Sequence, residues 1–116
     1  DLSFISLTKV LPNLKNLLSP DFHEMILLIK PQFEAGKEKV EKGGVVRDKK
    51  VHQEVIENVI NCAKELNYSI NDLTFSSIKG PSGNIEYLIW LSSHNENKAT
   101  LDIKNIVETA FEILNK

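Results

Sequence analysis

The order of apolar and polar positions along the chain predicts six elements. Leu7, Val10, Leu11, Leu14, Leu17 and Leu18 recur at helical spacing and predict an amphipathic helix, kinked or shifted by Pro12 and ended by Ser19-Pro20-Asp21. Met25-Ile26-Leu27-Leu28-Ile29 is a short continuous apolar run stopped by Lys30-Pro31. Its length and lack of alternation predict a strand covered on both faces, as in a parallel sheet. From Gln32 to Arg47 the chain is polar, with Gly36, Gly43 and Gly44 among many Lys and Glu. So long a connection inside a compact domain is usually functional or disordered, and Ala35–Val46 is expected to be mobile for want of residues to bury. Asp48 is the expected N-cap of a second helix, whose apolar face is Val51, Val55, Ile56, Val59, Ile60, Ala63 and Leu66, with Asn67 at its end. Ile70 to Ile78 and Ile85 to Leu91 read as two strands. The Lys79-Gly80-Pro81-Ser82-Gly83-Asn84 segment between them suits an antiparallel hairpin with an enlarged loop. Ile103, Ile106, Val107, Ala110, Phe111 and Leu114 predict a final amphipathic helix, capped by Asp102 or Thr100.

Composition narrows this pattern. The chain has 116 residues, 41% hydrophobic and 26% charged, which suits one globular α/β unit and excludes a disordered chain. Lys and Arg number 14 against 16 Asp and Glu, a net charge of −2. That excludes a polybasic nucleic-acid-coating protein and leaves room for a local basic patch. No apolar run approaches the length of a membrane span, and no leader pattern is present. The lone Cys62 fits a reducing compartment, so a cytoplasmic location is expected. The abrupt start at Asp1-Leu2-Ser3-Phe4 reads as a chain entered in mid-domain.

Most sharp chemical readings fail. His23, His52 and His94 fall in different elements without metal-ligand spacing, and neither a phosphate loop nor a nucleophile elbow occurs. Cys62 reads as a small residue at the edge of a helix face. Lys30 is different. Directly after a buried strand, it sits at that strand's carboxyl end, where open α/β sheets place their ligands, and desolvation there favours the neutral amine that a base requires. A snorkelling lysine is the ordinary alternative. If the Ile85–Leu91 strand runs antiparallel beside Met25–Ile29, its start brings Glu86 to the same end, facing Lys30. Asp1 reaches that edge too if it ends a truncated parallel strand. Lys37, Lys39, Lys42, Arg47, Lys49 and Lys50 are interleaved with Glu34, Glu38, Glu41 and Asp48. Solvated loop is the default for them, and contact with RNA phosphates the alternative.

The blocks Asp1-Leu2-Ser3-Phe4-Ile5-Ser6-Leu7, Leu28-Ile29-Lys30-Pro31-Gln32-Phe33-Glu34, Lys42-Gly43-Gly44-Val45-Val46-Arg47-Asp48 and Ile78-Lys79-Gly80-Pro81-Ser82-Gly83-Asn84-Ile85-Glu86, in this order, resemble the TlyA (hemolysin A) family of FtsJ-like RNA methyltransferases. The resemblance implies the carboxyl-terminal half of a Rossmann-like, S-adenosylmethionine-dependent fold: a mixed sheet ending in an antiparallel hairpin and flanked by helices. It implies methylation of ribosomal-RNA ribose 2′-hydroxyls. Of the family's Lys-Asp-Lys-Glu tetrad, Asp1 matches the aspartate, Lys30 the second lysine and Glu86 the glutamate; Asp1 is also the expected cofactor contact. The expected RNA contacts are Lys37, Lys39, Lys42, Arg47 and Lys79. The first lysine, the glycine-rich cofactor loop and the S4-type RNA-binding domain would all precede Asp1, so an isolated chain is expected to be inactive. Residues 1–94 would then be catalytic-domain sequence, and 95–116 an amphipathic helix packing on it or on a partner subunit. A homo-oligomer through that helix or an exposed sheet edge is the expected assembly. The alternative is a non-catalytic RNA-binding or dimerisation module. A membrane-lysing protein is disfavoured, because the amphipathic helices have ordinary soluble flanks.

Overall fold

The computed structural model describes residues 6–17, 21, 23–93 and 101–115. Helix α1 spans Leu7–Leu17, strand β1 Glu24–Ile29, the short helix α2 Pro31–Glu34, helix α3 Lys49–Glu65, strand β2 Ser69–Phe75, strand β3 Tyr87–Ser92 and helix α4 Ile103–Leu114. The strands form one sheet in the order β1-β3-β2, and both ladders are antiparallel. The expected antiparallel partnership of the last strand with Met25–Ile29 is therefore present, with Ile29 opposite Tyr87 and Met25 opposite Leu91.

Local chemistry sets the helix boundaries. The Asp48 carboxylate accepts from the Lys50 amide at 2.9 Å and caps α3. Asn67, just past its end, takes a φ of 65°, the left-handed turn that asparagine tolerates best after glycine. Asp102 caps α4 by accepting from the Asn105 amide at 3.1 Å, while Thr100 lies outside the described residues. Pro12 sits inside α1 and denies the Thr8 carbonyl its helical partner; the Cys62 thiol of α3 approaches that oxygen at 3.7 Å. Cys62 thus tends the gap that Pro12 leaves, and burial raises its thiol pKa.

One core joins Leu7 and Leu11 of α1, the apolar face of α3, the inward residues Tyr87, Ile89 and Leu91 of β3, and Val107 and Ala110 of α4. The expectation that Met25–Ile29 is covered on both faces does not hold. Burial alternates along β1, and Ile26 and Leu28 are 69% and 37% exposed. Trp90, opposite Ile26, is 40% exposed. The helices pack over the other face, and a run of purely apolar residues gives no sign of which face is covered. The polar Gln32–Arg47 stretch also differs from an irregular connection. It holds α2, a single 3-10 turn at Lys37–Lys39, and a bridge between Glu41 and Val45. Elements of three or four residues are too short to leave a periodic signal.

Candidate active site at the carboxyl end of β1

Pairing of Ile29 with Tyr87 sets the geometry. Lys30 leaves β1 as Glu86 enters β3, so both residues stand at one end of the sheet. Lys30 is extended, with φ −113° and ψ 100°, because a residue before proline avoids the helical region. Pro31 then opens α2, and the Lys30 carbonyl accepts from Phe33 and Glu34 at 2.9 and 3.1 Å. The Lys30 ammonium lies 5.9 Å from the centre of the Phe33 ring.

Glu86 is only 5% exposed. Its Oε2 accepts from Gln32 Nε2 at 2.9 Å, and no ion pair reaches it among the described residues. That bond fixes the Gln32 amide, since turning it over would set a carbonyl against a carboxylate. Gln32 Oε1 is left buried without a partner among the described residues. A buried carboxylate and an orphaned acceptor side by side are costly arrangements, and such groups cluster where a protein binds something. Glu34, next along α2, works as an anchor. Its oxygens accept from the Ser6 hydroxyl at 2.6 Å and the Leu7 amide at 2.7 Å, holding the start of α1. Asp1 lies outside the described residues.

Next to this end, a second set of polar groups is fully paired. Asn84 accepts from the Val46 amide at 3.0 Å and donates to the Gly44 carbonyl at 2.8 Å. His52 Nε2 donates to the Val46 carbonyl at 2.8 Å, which leaves Nδ1 to accept from the Tyr87 hydroxyl at 2.8 Å. His52 is completely buried, and burial lowers its pKa against the opposing pull of the Val46 carbonyl and Asp48. Burial likewise raises that of Tyr87.

The five cationic residues expected at RNA divide. Arg47 and Lys79, far apart in sequence, line one cleft of about 440 Å³ with Ser82, Gly83 and Phe111. Lys39 pairs with Glu54 of α3 at 3.1 Å, while Lys37 and Lys42 are exposed. Sequence reasoning missed Gln32, Gly80 and Asn84. Gln32 and Asn84 act on residues distant in the chain and Gly80 on one six positions on, and an amide or a glycine inside a block of polar residues carries no periodic signal.

Residues 1–93 match the FtsJ-like methyltransferase family. The chain belongs to that family. It is 42% identical over 119 aligned positions to a Bacillus subtilis protein provisionally named rRNA methyltransferase YqxC, covering 98% of this chain and 42% of that protein. It is 43% identical over 96 positions to the Mycobacterium tuberculosis 16S/23S rRNA (cytidine-2′-O)-methyltransferase TlyA, covering 83% of this chain and 35% of the relative. Among solved structures, one provisionally named a hemolysin, from Streptococcus thermophilus, superposes with a TM-score of 0.88 at 38% identity. That likeness takes in 99% of this chain and 42% of the other. The chain thus spans less than half the length of these relatives. No helix among the described residues is long and apolar enough to cross a membrane.

Proposed function

We propose that this FtsJ-like chain is the carboxyl-terminal part of an S-adenosylmethionine-dependent, cytoplasmic methyltransferase acting on ribose 2′-hydroxyls of ribosomal RNA. The observation that carries the reading is the convergence of Lys30 and the buried Glu86 at one sheet end, fixed by the Ile29–Tyr87 pair. The groups there fit a cationic, donor-bearing cofactor, since Glu86 and the orphaned Gln32 oxygen are acceptors. Asp1, assigned as the chain's own cofactor contact, lies outside the described residues. When bound, S-adenosylmethionine supplies an already activated methyl group.

A ribose hydroxyl is a poor nucleophile at neutral pH, so a neighbouring group must orient it and take its proton. Lys30 Nζ takes that proton. The Glu86 carboxylate accepts a hydrogen bond from the resulting ammonium and offsets its charge. Half-exposed on a strand end, the lysine can leave the Phe33 ring for a substrate without breaking an ion pair to any of the described residues. Arg47 and Lys79, lining their common cleft, meet phosphates of the RNA backbone, with Lys37, Lys39 and Lys42 adding longer-range attraction.

The test is single-turnover methylation of ribosomal RNA by the full-length parent, with cofactor binding measured in parallel. Lys30→Met keeps the apolar stem and should lower turnover on the order of a hundredfold, leaving cofactor affinity nearly unchanged. Wild-type turnover in that variant would leave Lys30 a surface residue. The 116-residue chain alone should bind S-adenosylmethionine weakly or not at all. A micromolar constant by titration calorimetry would refute that expectation.

A further inference from the structure

We propose that Gly80 and Gln32 are positioning residues for Glu86: its carboxylate rests on the bare Cα of Gly80, while the Gln32 amide fixes its orientation. The proposal rests on the reading of Glu86 as the acceptor that steadies the Lys30 ammonium beside the ribose.

Backbone conformation does not explain the glycine. Gly36, Gly43, Gly44 and Gly83 all take positive φ, between 78° and 86°, and Gly80 does not. Space does explain it. A Cβ at Gly80 would stand 2.8 Å from Glu86 Oε1 and closer still to Cδ and Oε2. Atoms in folded proteins do not approach so closely, so one side of the contact would have to move. The Gly80 backbone cannot easily move. Its N–H donates to the Asn84 carbonyl at 2.8 Å and its carbonyl accepts from Gly83 at 3.1 Å, closing a tight turn. Asn84 in turn grips Val46 and Gly44. The carboxylate must therefore shift, and the shift moves it off the position in which Gln32 holds it.

The second observation is independent of the first. Gln32 gives an amide N–H to Glu86 and leaves Oε1 buried and unpaired among the described residues. Only a donor at this position answers the buried Glu86 carboxylate, since an apolar side chain would leave that charge without its hydrogen bond. Together the two residues leave Glu86 Oε2 engaged and Oε1 as its free acceptor among the described residues. The same short segment, 80–86, supplies both the acid and the floor it lies on.

The experiment is a double-mutant cycle in the full-length parent, reading single-turnover methylation of ribosomal RNA, the KM for RNA and the Kd for S-adenosylmethionine. Gly80→Ala should slow turnover about tenfold to a hundredfold, as a displacement near 1 Å does, with KM and Kd changed less than about twofold. Added to Glu86→Gln, the same change should cost less than about twofold, because the group it displaces has already lost its function. Gln32→Leu should behave as Gly80→Ala does, and it carries the test alone if Gly80→Ala does not fold. Wild-type turnover in both variants, or an equal loss with and without Glu86→Gln, would overturn the proposal by making these ordinary packing residues. Should Glu86→Gln itself turn over at the wild-type rate, the catalytic reading of Glu86 fails first and this inference with it. A silent Gly80→Ala beside a disabled Glu86→Gln refutes the positioning role alone.

Discussion

Two polar clusters flank the first residue of β3, and they are built on opposite terms. On one side Asn84, His52 and Tyr87 bind Val46, Gly44 and each other with their side-chain groups engaged. On the other, among the described residues, Glu86 is buried on one amide bond, Gln32 keeps an orphaned oxygen, and the Lys30 ammonium has an aromatic ring for company. Residues 84, 86 and 87 are neighbours in the chain, so the difference does not come from depth or from the element that carries them. A satisfied buried network stiffens a fold; an unsatisfied one holds groups ready for a partner. The first cluster is scaffold, and it fixes the end of the sheet where the second one waits.

The difference is tested most strongly at Asn84. Asn84→Ala strips the buried Val46 amide of its acceptor and the Gly44 carbonyl of its donor and should cost about 2–3 kcal/mol of stability by urea unfolding. A loss below about 1 kcal/mol would mean that the 44–46 segment holds its place without it.

His52 gives the pH dependence. Burial keeps its folded pKa below the ordinary 6.5. As the pH falls through that value, the unfolded chain takes up a proton that the folded protein refuses, so this stability is present above about pH 6.5 and is lost on acidification, by at most about 1.4 kcal/mol per pH unit. The loss continues down to the folded pKa. Unfolding curves at pH 7.5 and 5.5 for the wild type and His52→Phe check this: the wild type should lose more between the two. Equal losses would mean that the folded ring takes up its proton as readily as the unfolded one. Tyr87→Phe strips the same ring of its donor and should cost about 1 kcal/mol, with its effect concentrated near neutral pH.

Much of the scaffold could be read from the chain. The apolar face of α3, its cap at Asp48 and its stop at Asn67 follow from local chemistry, and local chemistry survives folding. The placing of Lys30 and Glu86 at one end of the sheet needed one further step, the antiparallel choice for β3. Features that escaped are of another kind. Ile26 and Trp90 are apolar residues on the uncovered face, and apolarity says nothing of which side a helix will take. Gly80 looks like any turn glycine until the carboxylate of Glu86 is found lying on it. Asn84 looks like a turn residue, and its partners lie about 40 positions earlier. Long-range pairing of single polar groups leaves no period, so only coordinates expose it.

The smallest expected effect is also the most discriminating. Glu86→Gln keeps the size of the side chain and an oxygen that can accept from Gln32, and it removes the buried charge. Losing a charge-assisted hydrogen bond should cost about 1 kcal/mol, while sparing the protein a desolvated carboxylate returns a similar amount. Stability should therefore change by less than about 0.5 kcal/mol in either direction, although turnover in the parent collapses. Asn84→Ala, two residues away, should show the reverse in this chain: a large loss of stability. Urea unfolding of the two variants side by side measures that contrast. A loss above about 1.5 kcal/mol for Glu86→Gln would make the carboxylate a member of the scaffold, joined to Asn84 and His52, and would remove the reason for reading the Lys30 end as a site.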